Sequence, residues 1–149
     1  MAGTRVDPSC SIARSLSVIG QPWTMLILRE AFFDVTRFVD FRARLGIAPD
    51  VLTDRLNTLV EAGVMRREPY RERGERTRDA YLLTPAGREL HTVLLALQQW
   101  GDEHVPHPAS PSMLRRSRID GRPVHVGYVD DAGRVLDDAD VEVVRSTAA

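Results

Sequence analysis

The sequence predicts a mainly α-helical fold with a β wing, of the α+β class, and three observations support this prediction. Before Val64, apolar residues recur at the spacing of amphipathic helices in four separate segments. From Val64 to Leu83, two runs of β-type residues flank a polar stretch, which indicates a hairpin. A long helix with an apolar face follows. This order predicts a winged helix-turn-helix over residues 1–105, and a Pro-rich linker with a small β-rich C-terminal extension over residues 106–149.

Local signals define the first two helices. The first is expected from Cys10 to Ile19, with Ser9 as its N-cap, and Gly20 ends it. The second begins at Pro22, because proline at the first helical position gives up only a hydrogen bond that the helix cannot make there. Its apolar residues lie on more than one side, which predicts a helix of the core.

Two helices joined by a tight turn come next. The third is expected over residues 37–45 and the fourth from Pro49 to Ala62, because glycine and proline in the segment 46–49 interrupt the helical pattern. On the fourth helix the apolar positions share one face, namely Leu52, Leu56, Leu59 and Val60. Polar residues occupy the opposite face, namely Asp50, Asp54, Asn57 and Glu61.

The hairpin carries a local excess of positive charge. Between Val64 and Thr84 six arginines stand against four acids, whereas from Ile119 to the end seven acids stand against three arginines. The formal net charge of -1 therefore hides a basic and an acidic pole. Because affinity for phosphates follows local charge rather than net charge, the composition is compatible with a nucleic-acid partner.

The last helix and the extension both need a partner surface. Thr84 is expected to cap this helix and Pro85 to open it, and its apolar seam consists of Leu90, Val93, Leu94, Leu97 and Trp100. Three prolines within residues 106–111 predict a linker, and the segments 120–121 and 131–133 predict turns between short β-type runs. Since about 40 residues seldom bury enough surface to be stable alone, the extension is expected to dock on the main domain or its dimer mate.

Composition argues against several classes of protein. No apolar run reaches the ~18 residues that a membrane span needs, and the first residues lack a signal-peptide pattern, so a cytoplasmic protein is expected. Cys10 is the only cysteine, which excludes an internal disulfide and a multi-thiolate zinc site. Asp102, Glu103, His104 and His107 are interpreted as a surface cluster rather than a metal site. With no nucleophile elbow, phosphate loop or metal pair, neither an enzyme nor a cofactor is expected.

Helix, turn, helix and basic hairpin, in this order, meet two requirements of duplex DNA. The second helix of the pair can enter the major groove, where base edges are distinguishable, while an arginine-tipped hairpin reaches phosphates or the adjacent minor groove. The sequence therefore predicts a DNA-binding protein. The alternative from another class is a winged-helix module that binds a protein instead, which Asp50, Asp54 and the acidic C-terminal segment motivate.

At these same residues the chain resembles the HxlR family of winged-helix regulators, relatives of the MarR and ArsR types. The resemblance rests on CSIAR at 10–14, GQPWTMLILR at 20–29, FVDF at 38–41, LGIAP at 45–49, LTDRL at 52–56, LVEAG at 59–63, YLLTPAGREL at 81–90 and WG at 100–101. It implies a homodimer, held by the first and last helices, that binds a pseudo-palindromic operator with one recognition helix per half-site. For most members it implies repression, and for some activation.

The fourth helix is then the recognition helix. Its candidate DNA contacts are Pro49, Asp50, Val51, Thr53, Asp54, Arg55 and Asn57, joined by Phe38 of the third helix. Asp50 or Asp54 can accept a hydrogen bond from a cytosine amino group, or Asp50 only stabilises the positive end of the helix. In the wing, the candidate phosphate contacts are Arg71, Arg73, Arg76 and Arg78. The competing interpretation is a hairpin of salt bridges with Glu72, Glu75 and Asp79.

Two further sites stay open from the sequence. Cys10 is expected in the first turn of a helix, whose dipole favours the reactive thiolate, with Arg14 one turn further on. The resemblance implies sensing of oxidants or electrophiles for some members with a cysteine here, whereas a buried cysteine acts as a small apolar residue. Trp23, Ile27 and Trp100 are candidates for the lining of a pocket for a small-molecule effector, or are plain core.

Overall fold

The computed structural model describes residues 9–105, 107–109 and 113–144. Its elements are α1 (Ser11–Ile19), α2 (Pro22–Phe32), α3 (Phe38–Leu45), α4 (Pro49–Glu61), β1 (Met65–Tyr70), β2 (Arg78–Leu83), α5 (Pro85–His104), β3 (Tyr128–Val129), β4 (Val135–Leu136) and a single-turn 3-10 helix (Asp138–Asp140). These helices, with two antiparallel hairpins, confirm the predicted α+β class. Within the described ranges, no helix is long and apolar enough to cross a membrane.

The chain divides between Leu94 and Leu95 into two compact units, so helix α5 contributes to both of them. The domain boundary expected between residues 105 and 106 stays a prediction. In the first unit the largest fully buried apolar side chains are Phe41, Ile27, Leu28, Leu52, Leu56, Leu59 and Met65. The three leucines follow the 3.6-residue period of α4, as predicted. On the opposite face Asp50, Asp54 and Glu61 are exposed and Asn57 is half-buried.

A buried carboxylate links α2 to α3. Glu30 is only 7% exposed and lies 2.8 Å from the Arg29 guanidinium and 3.6 Å from that of Arg44. Burying a charge is unfavourable unless it is paired, and here two cations offset that desolvation. This pairing fixes the C-terminal turn of α3 against α2.

The N-cap of α1 is Cys10, so the prediction of Ser9 as N-cap is wrong. Cys10 has an extended backbone (φ -73°, ψ 116°) and its carbonyl accepts the first helical hydrogen bond, from the Arg14 amide at 3.0 Å. Its thiol makes no capping hydrogen bond. Instead the Arg14 guanidinium donates to the Ser9 carbonyl at 2.8 Å and to Ser11 Oγ at 3.0 Å. A side chain from within the helix therefore satisfies groups on both sides of the cap.

The tight turn between α3 and α4 is confirmed. Gly46 ends α3 with φ 62°, a left-handed conformation in which a side chain would be strained, and its amide donates to the Arg42 carbonyl at 2.9 Å. Pro49 then opens α4. Helices α3 and α4 are therefore the helix-turn-helix pair.

The predicted hairpin is also present, and one of its strands is hydrogen-bonded to the loop between α2 and α3. Strands β1 and β2 pair from Met65 with Leu83 to Tyr70 with Arg78, which leaves residues 71–77 as the tip. The Tyr81 amide donates to the Thr36 carbonyl at 2.7 Å, beside an isolated bridge between Arg37 and Ala80. The loop between α2 and α3 therefore holds the middle of strand β2.

Thr84 caps α5 as expected and also joins this helix to the start of the wing. Its hydroxyl accepts from the Gly87 amide at 3.1 Å and lies 2.6 Å from the Gly63 carbonyl oxygen. A Cβ atom on Gly87 would stand 2.1 Å from the Val64 carbonyl oxygen. The first turn of α5 therefore packs so closely on the backbone before β1 that only glycine fits there.

In the second unit, the extension is attached to the C-terminal half of α5. Gln99 exchanges two hydrogen bonds with the Val126 backbone, at 2.9 and 3.1 Å, and the Asp102 carboxylate lies 3.1 Å from the Arg115 guanidinium. Both predicted turns are present, with Gly121 at φ 73° and Gly133 at φ 80°. Of the predicted linker, residues 106, 110 and 111 lie outside the described residues.

The turn between β3 and β4 is closed around one carboxylate. The side chain of Asp130 accepts hydrogen bonds from the Arg134 amide at 2.9 Å, from Arg134 Nε at 2.8 Å and from the Ala132 amide at 3.0 Å. The backbone hydrogen bond from Arg134, followed by the side-chain bond, lowers the pKa of Asp130 below its ordinary value.

Candidate nucleic-acid interface

The outer face of α4 presents the predicted contact residues. Pro49, Asp50, Thr53 and Asp54 are exposed, and Val51, Arg55 and Asn57 are half-buried. Phe38, at the start of α3, is half-buried and packs against the core. The Thr53 hydroxyl donates to the Pro49 carbonyl at 2.8 Å, so its hydrogen is used inside the helix while its oxygen can accept from outside.

The two acids on this face have different environments. Asp50 is exposed in the first turn of α4, where unpaired backbone N–H groups give the helix a positive end. Asp54 forms an ion pair with its neighbour Arg55. The positive helix end therefore compensates the charge of Asp50, and Arg55 compensates that of Asp54. The exposed ion pair between Asp54 and Arg55 contributes little stability.

Strand β1 reaches α4 through Arg67, a residue that we did not single out from the sequence. Its guanidinium donates to the Asn57 side-chain oxygen at 2.5 Å. The alternation of β1 contained a signal, because Arg67 is two residues from buried Met65 and so faces the same side of the strand. This hydrogen bond leaves the Asn57 amide group as a hydrogen-bond donor on the face of α4.

Arg37 is a second residue that sequence reasoning missed as part of this site. It forms an ion pair with Glu72 at the tip of the wing, and its guanidinium lies 4.7 Å above the centre of the Tyr70 ring. Because Arg37 directly precedes α3, these contacts hold the wing against the helix-turn-helix. Glu72, expected to pair with a wing arginine, is thus bound by Arg37.

The four arginines predicted in the wing fall into two groups, and all of them are exposed. Arg78 forms an ion pair of 2.9 Å with Glu75, and Arg71 donates to the Glu75 carbonyl at 2.8 Å. In the part of the chain that the structure describes, the guanidinium groups of Arg73 and Arg76 have no acidic or hydrogen-bonding partner. Ion pairs within the wing therefore neutralise only part of the positive charge at the tip.

One concave surface connects the recognition helix with the wing. It has a volume of about 590 Å³, and we call it the wing concavity. Its lining residues are Phe38 and Val39 of α3, Thr53 of α4, Tyr70 of β1, and Arg76, Thr77, Arg78, Asp79 and Tyr81 of the tip and β2. Candidate contact residues that lie far apart in the sequence, Thr53 and Arg76 among them, therefore border the same surface.

The remaining candidates lie elsewhere. Cys10 is an exposed free thiol at the start of α1. Of the residues expected to line a ligand pocket, Ile27 is fully buried in the core, whereas Trp23 and Trp100 are exposed. Trp100 contacts the His104 ring, with the ring centres 5.3 Å apart. Among residues 9–105, 107–109 and 113–144, no group of three or more His, Cys, Asp or Glu side chains is arranged to hold a metal ion.

Comparison with known proteins identifies the family. A model described as an HxlR-like helix-turn-helix matches residues 18–109. An HTH-type transcriptional regulator of Mycobacterium tuberculosis, Rv3095, is 45% identical over 111 residues, which cover 74% of this chain and 69% of that protein. These matches are to regulators of transcription rather than to enzymes.

Comparison with solved structures extends the likeness beyond residues 18–109. PA1607, a candidate transcription factor, has a TM-score of 0.79 and 38% sequence identity, and the match covers 97% of this chain and all of PA1607. The redox regulator HypR in its reduced form has a TM-score of 0.56 and 28% identity, over 64% of this chain and 96% of HypR. The winged helix-turn-helix architecture is confirmed, and the chain belongs to the HxlR-like helix-turn-helix family of transcriptional regulators.

Proposed function

We propose that the protein is a homodimeric repressor that binds a pseudo-palindromic operator through α4 and the wing. The observation that carries this proposal is that Thr53 of α4 and the wing arginines Arg76 and Arg78 border one concave surface. A helix in the major groove and an arginine-bearing loop on the flanking phosphates need this proximity.

The outer face of α4 enters the major groove. There Thr53, Arg55 and the Asn57 amide supply groups that can hydrogen-bond to base edges, while Asp50 or Asp54 can accept from a cytosine amino group. The wing tip then lies along the backbone, where Arg73 and Arg76 are available for phosphates without breaking an ion pair. Arg71 and Arg78 add charge there.

Exposed apolar surface on two helices supports the dimer. Ile12 and Leu16 of α1 are 72% and 57% exposed, and Leu97 and Trp100 of α5 are 55% and 57% exposed. Ile12 and Leu16 lie one turn apart on one stripe of α1, and Leu97 and Trp100 are likewise spaced on α5. Surfaces of this kind are unfavourable in water and mark sites of association, so a second copy of the chain is proposed to cover them.

Binding to the DNA upstream of the protein's own gene tests the proposal. Fluorescence anisotropy with the purified full chain should give an affinity for this duplex that falls steeply as salt is added. Nuclease footprinting should protect two half-sites about 10 base pairs apart, or a multiple of that spacing. Failure to bind this duplex or a pool of random duplexes would instead favour a winged-helix module that binds a protein.

Oxidation of Cys10 is proposed as one input to this regulator. The exposed thiol and the Arg14 side chain that binds both neighbours of Cys10 support this idea, as does the likeness to the redox regulator HypR. Because the chain has a single cysteine, any protein disulfide joins two chains. Treatment with diamide should change the DNA affinity of the wild type and leave that of Cys10→Ser unchanged. An equal response of both proteins would exclude Cys10 as the sensor.

A further inference from the structure

We propose that the C-terminal extension is an association surface that joins two dimers of this chain, with the extension of the second dimer as its partner. The inference rests on the proposed function, since the dimer held by α1 and α5 is its building block. It gives the extension a role of its own, namely to link two regulator dimers that bind neighbouring operators.

The extension lies on the side of α5 opposite to the exposed part of the apolar seam. It is hydrogen-bonded or ion-paired to three residues of this helix, namely Gln98, Gln99 and Asp102. At 3.6 residues per turn, these three lie on average roughly 180° around the helix from Leu97 and Trp100. Leu97 and Trp100 are 55% and 57% exposed. A second copy that covers them therefore approaches α5 from the side away from the extension, whose own surface stays in water.

The outer side of the extension exposes apolar side chains that its own fold does not bury. Val129 and Val135 stand directly opposite each other on β3 and β4, and they are 63% and 81% exposed. Leu136 lies on the other face of this hairpin and is half-buried. Ile119, in the turn before Gly121, is 97% exposed. Because so short a hairpin buries little surface, this exposed valine pair indicates contact with another surface.

Charges of opposite sign occupy two separate segments of the extension. Residues 115–122 contain four arginines and one aspartate, whereas residues 130–142 contain six acids and one arginine. Within the described extension, six of these side chains have no ion pair or hydrogen bond, namely Arg116, Arg118, Asp131, Asp137, Asp140 and Glu142. Arg116 points away from α5, because it alternates with Arg115, which binds Asp102. Both segments therefore carry charge that is available to a partner.

This separation of charge makes the extension complementary to a second copy of itself. In a two-fold contact, residue i of one chain meets residue j of the other and j meets i, so the arginine segment of each extension faces the acidic segment of its partner. A uniformly acidic surface would instead repel its copy. Val129 and Val135 directly flank the segment 130–134 and are covered in the same contact.

Two different two-fold contacts, one at the α5 seam and one at the extension, assemble four chains as a dimer of dimers. Such a tetramer carries two pairs of recognition helices, so that binding of one dimer raises the effective concentration of the other at a neighbouring operator. Because exposed ion pairs contribute little stability, the extension contact is expected to be weaker than the seam and to form at higher protein concentration.

Sedimentation velocity of the full chain over a wide range of concentration tests this surface. The wild type should be dimeric when dilute and should pass reversibly to a tetramer as the concentration rises. Arg116→Asp should weaken the tetramer about tenfold, because two-fold symmetry turns an attraction into a repulsion twice. The double variant Asp137→Arg, Asp140→Arg should do the same. Glu61→Arg reverses an exposed charge on α4, and as the matched control it should assemble like the wild type.

A mixture of the two variants separates a specific contact from a folding defect. When Arg116→Asp meets the double variant Asp137→Arg, Asp140→Arg, opposite charges face each other again in both halves of the contact. The equimolar mixture should therefore form tetramers as readily as the wild type, whereas each variant alone should not. A mixture that associates no better than its components would contradict the pairing of the two segments.

Two further results would overturn the inference, namely a wild type that stays dimeric at every concentration, and charge variants that assemble like Glu61→Arg. Leu97→Asp distinguishes this failure from that of the proposed dimer. It should be monomeric when dilute and should dimerise at high concentration through the extension alone, an association that added Arg116→Asp removes. If the association of the wild type depends on Arg116 and not on Leu97, the seam of the proposed function fails and the extension contact stands.

Discussion

The Arg67 guanidinium donates a hydrogen bond of 2.5 Å to Oδ1 of Asn57, which fixes strand β1 directly to helix α4. The wing and the recognition helix are therefore linked at this point, and the Asn57 side-chain NH2 group is left to donate. Arg37 acts in a similar way at the other end of the wing, through Glu72 and Tyr70. Both arginines are positioning residues for the proposed interface.

The pair can be tested by a double-mutant cycle. Arg67→Gln and Asn57→Ala should each lower the free energy of unfolding. The coupling between them should be about 0.5–1.5 kcal/mol, the range of an ordinary hydrogen bond, because solvent screens the charge of the exposed Arg67. Urea denaturation of the four proteins measures it. Arg66→Gln is the control, because Arg66 pairs with Glu68 on its own strand and should show no coupling to Asn57. Strictly additive effects of Arg67→Gln and Asn57→Ala would contradict the linkage.

Two glycines of α5 give opposite predictions for the same substitution. Gly87→Ala should destabilise the protein by about 1–3 kcal/mol, because the new Cβ must push away the Val64 backbone, from which it would stand only 2.1 Å. Gly101→Ala meets nothing within 4 Å and should stabilise the helix by about 0.5–1 kcal/mol through its better helix propensity. Thermal denaturation compares the two variants, and equal shifts in Tm would show that the close contact at Gly87 is absent.

Removal of one apolar side chain should test the dimer. Leu97→Asp places a charge in the exposed seam of α5, where its desolvation in an interface is strongly unfavourable. Sedimentation equilibrium should give a dimer for the wild type and a monomer for Leu97→Asp, with unchanged helix content by circular dichroism. Glu103→Gln, also exposed on α5, is the control and should stay dimeric. A wild type that is monomeric at all accessible concentrations would contradict the proposed association.

The turn at Asp130 should respond to pH in a defined direction. Because Arg134 lowers the pKa of Asp130 in the folded extension, the ionised carboxylate stabilises the turn at any pH above the ordinary aspartate value of 3.8. This stabilisation is lost only as the pH falls through the lower pKa of the folded state. The NMR signals of the Ala132 and Arg134 amides should therefore titrate below pH 3.8. In Asp130→Asn this titration should vanish, and a midpoint at or above the ordinary value would refute the assignment.

Local sequence signals predicted most of the first unit. The leucines of α4, the change of period at Val64 and the Thr84-Pro85 pair identified the recognition helix, the wing and α5, because each signal depends on residues close in the chain. The predicted cap of α1 was wrong by one residue, since Ser9 and Cys10 are both compatible with the pattern and the pattern does not show at which of them the helical backbone begins.

The contacts that assemble the candidate interface were not predictable in the same way. Arg67 meets Asn57 ten residues away, and Arg37 meets Glu72 across 35 residues. Such pairs depend on how the hairpin is placed against the helices, a property that no periodicity encodes. Alternation in β1 suggests only which side Arg67 faces, and the partner becomes known from the fold. The wing concavity likewise exists only once three segments have packed.

If α4 and the wing bind duplex DNA through phosphate contacts at the tip, the affinity must depend steeply on the salt concentration. Each phosphate contact contributes about -0.9 to the slope of log affinity against log salt. We expect a steep slope for the wild type and, for Arg73→Gln, a slope reduced by about one contact per chain. Arg118→Gln, an equal loss of charge in the extension, should keep the wild-type slope. A salt-independent affinity, or the same slope in Arg73→Gln and wild type, would contradict DNA binding through the wing tip.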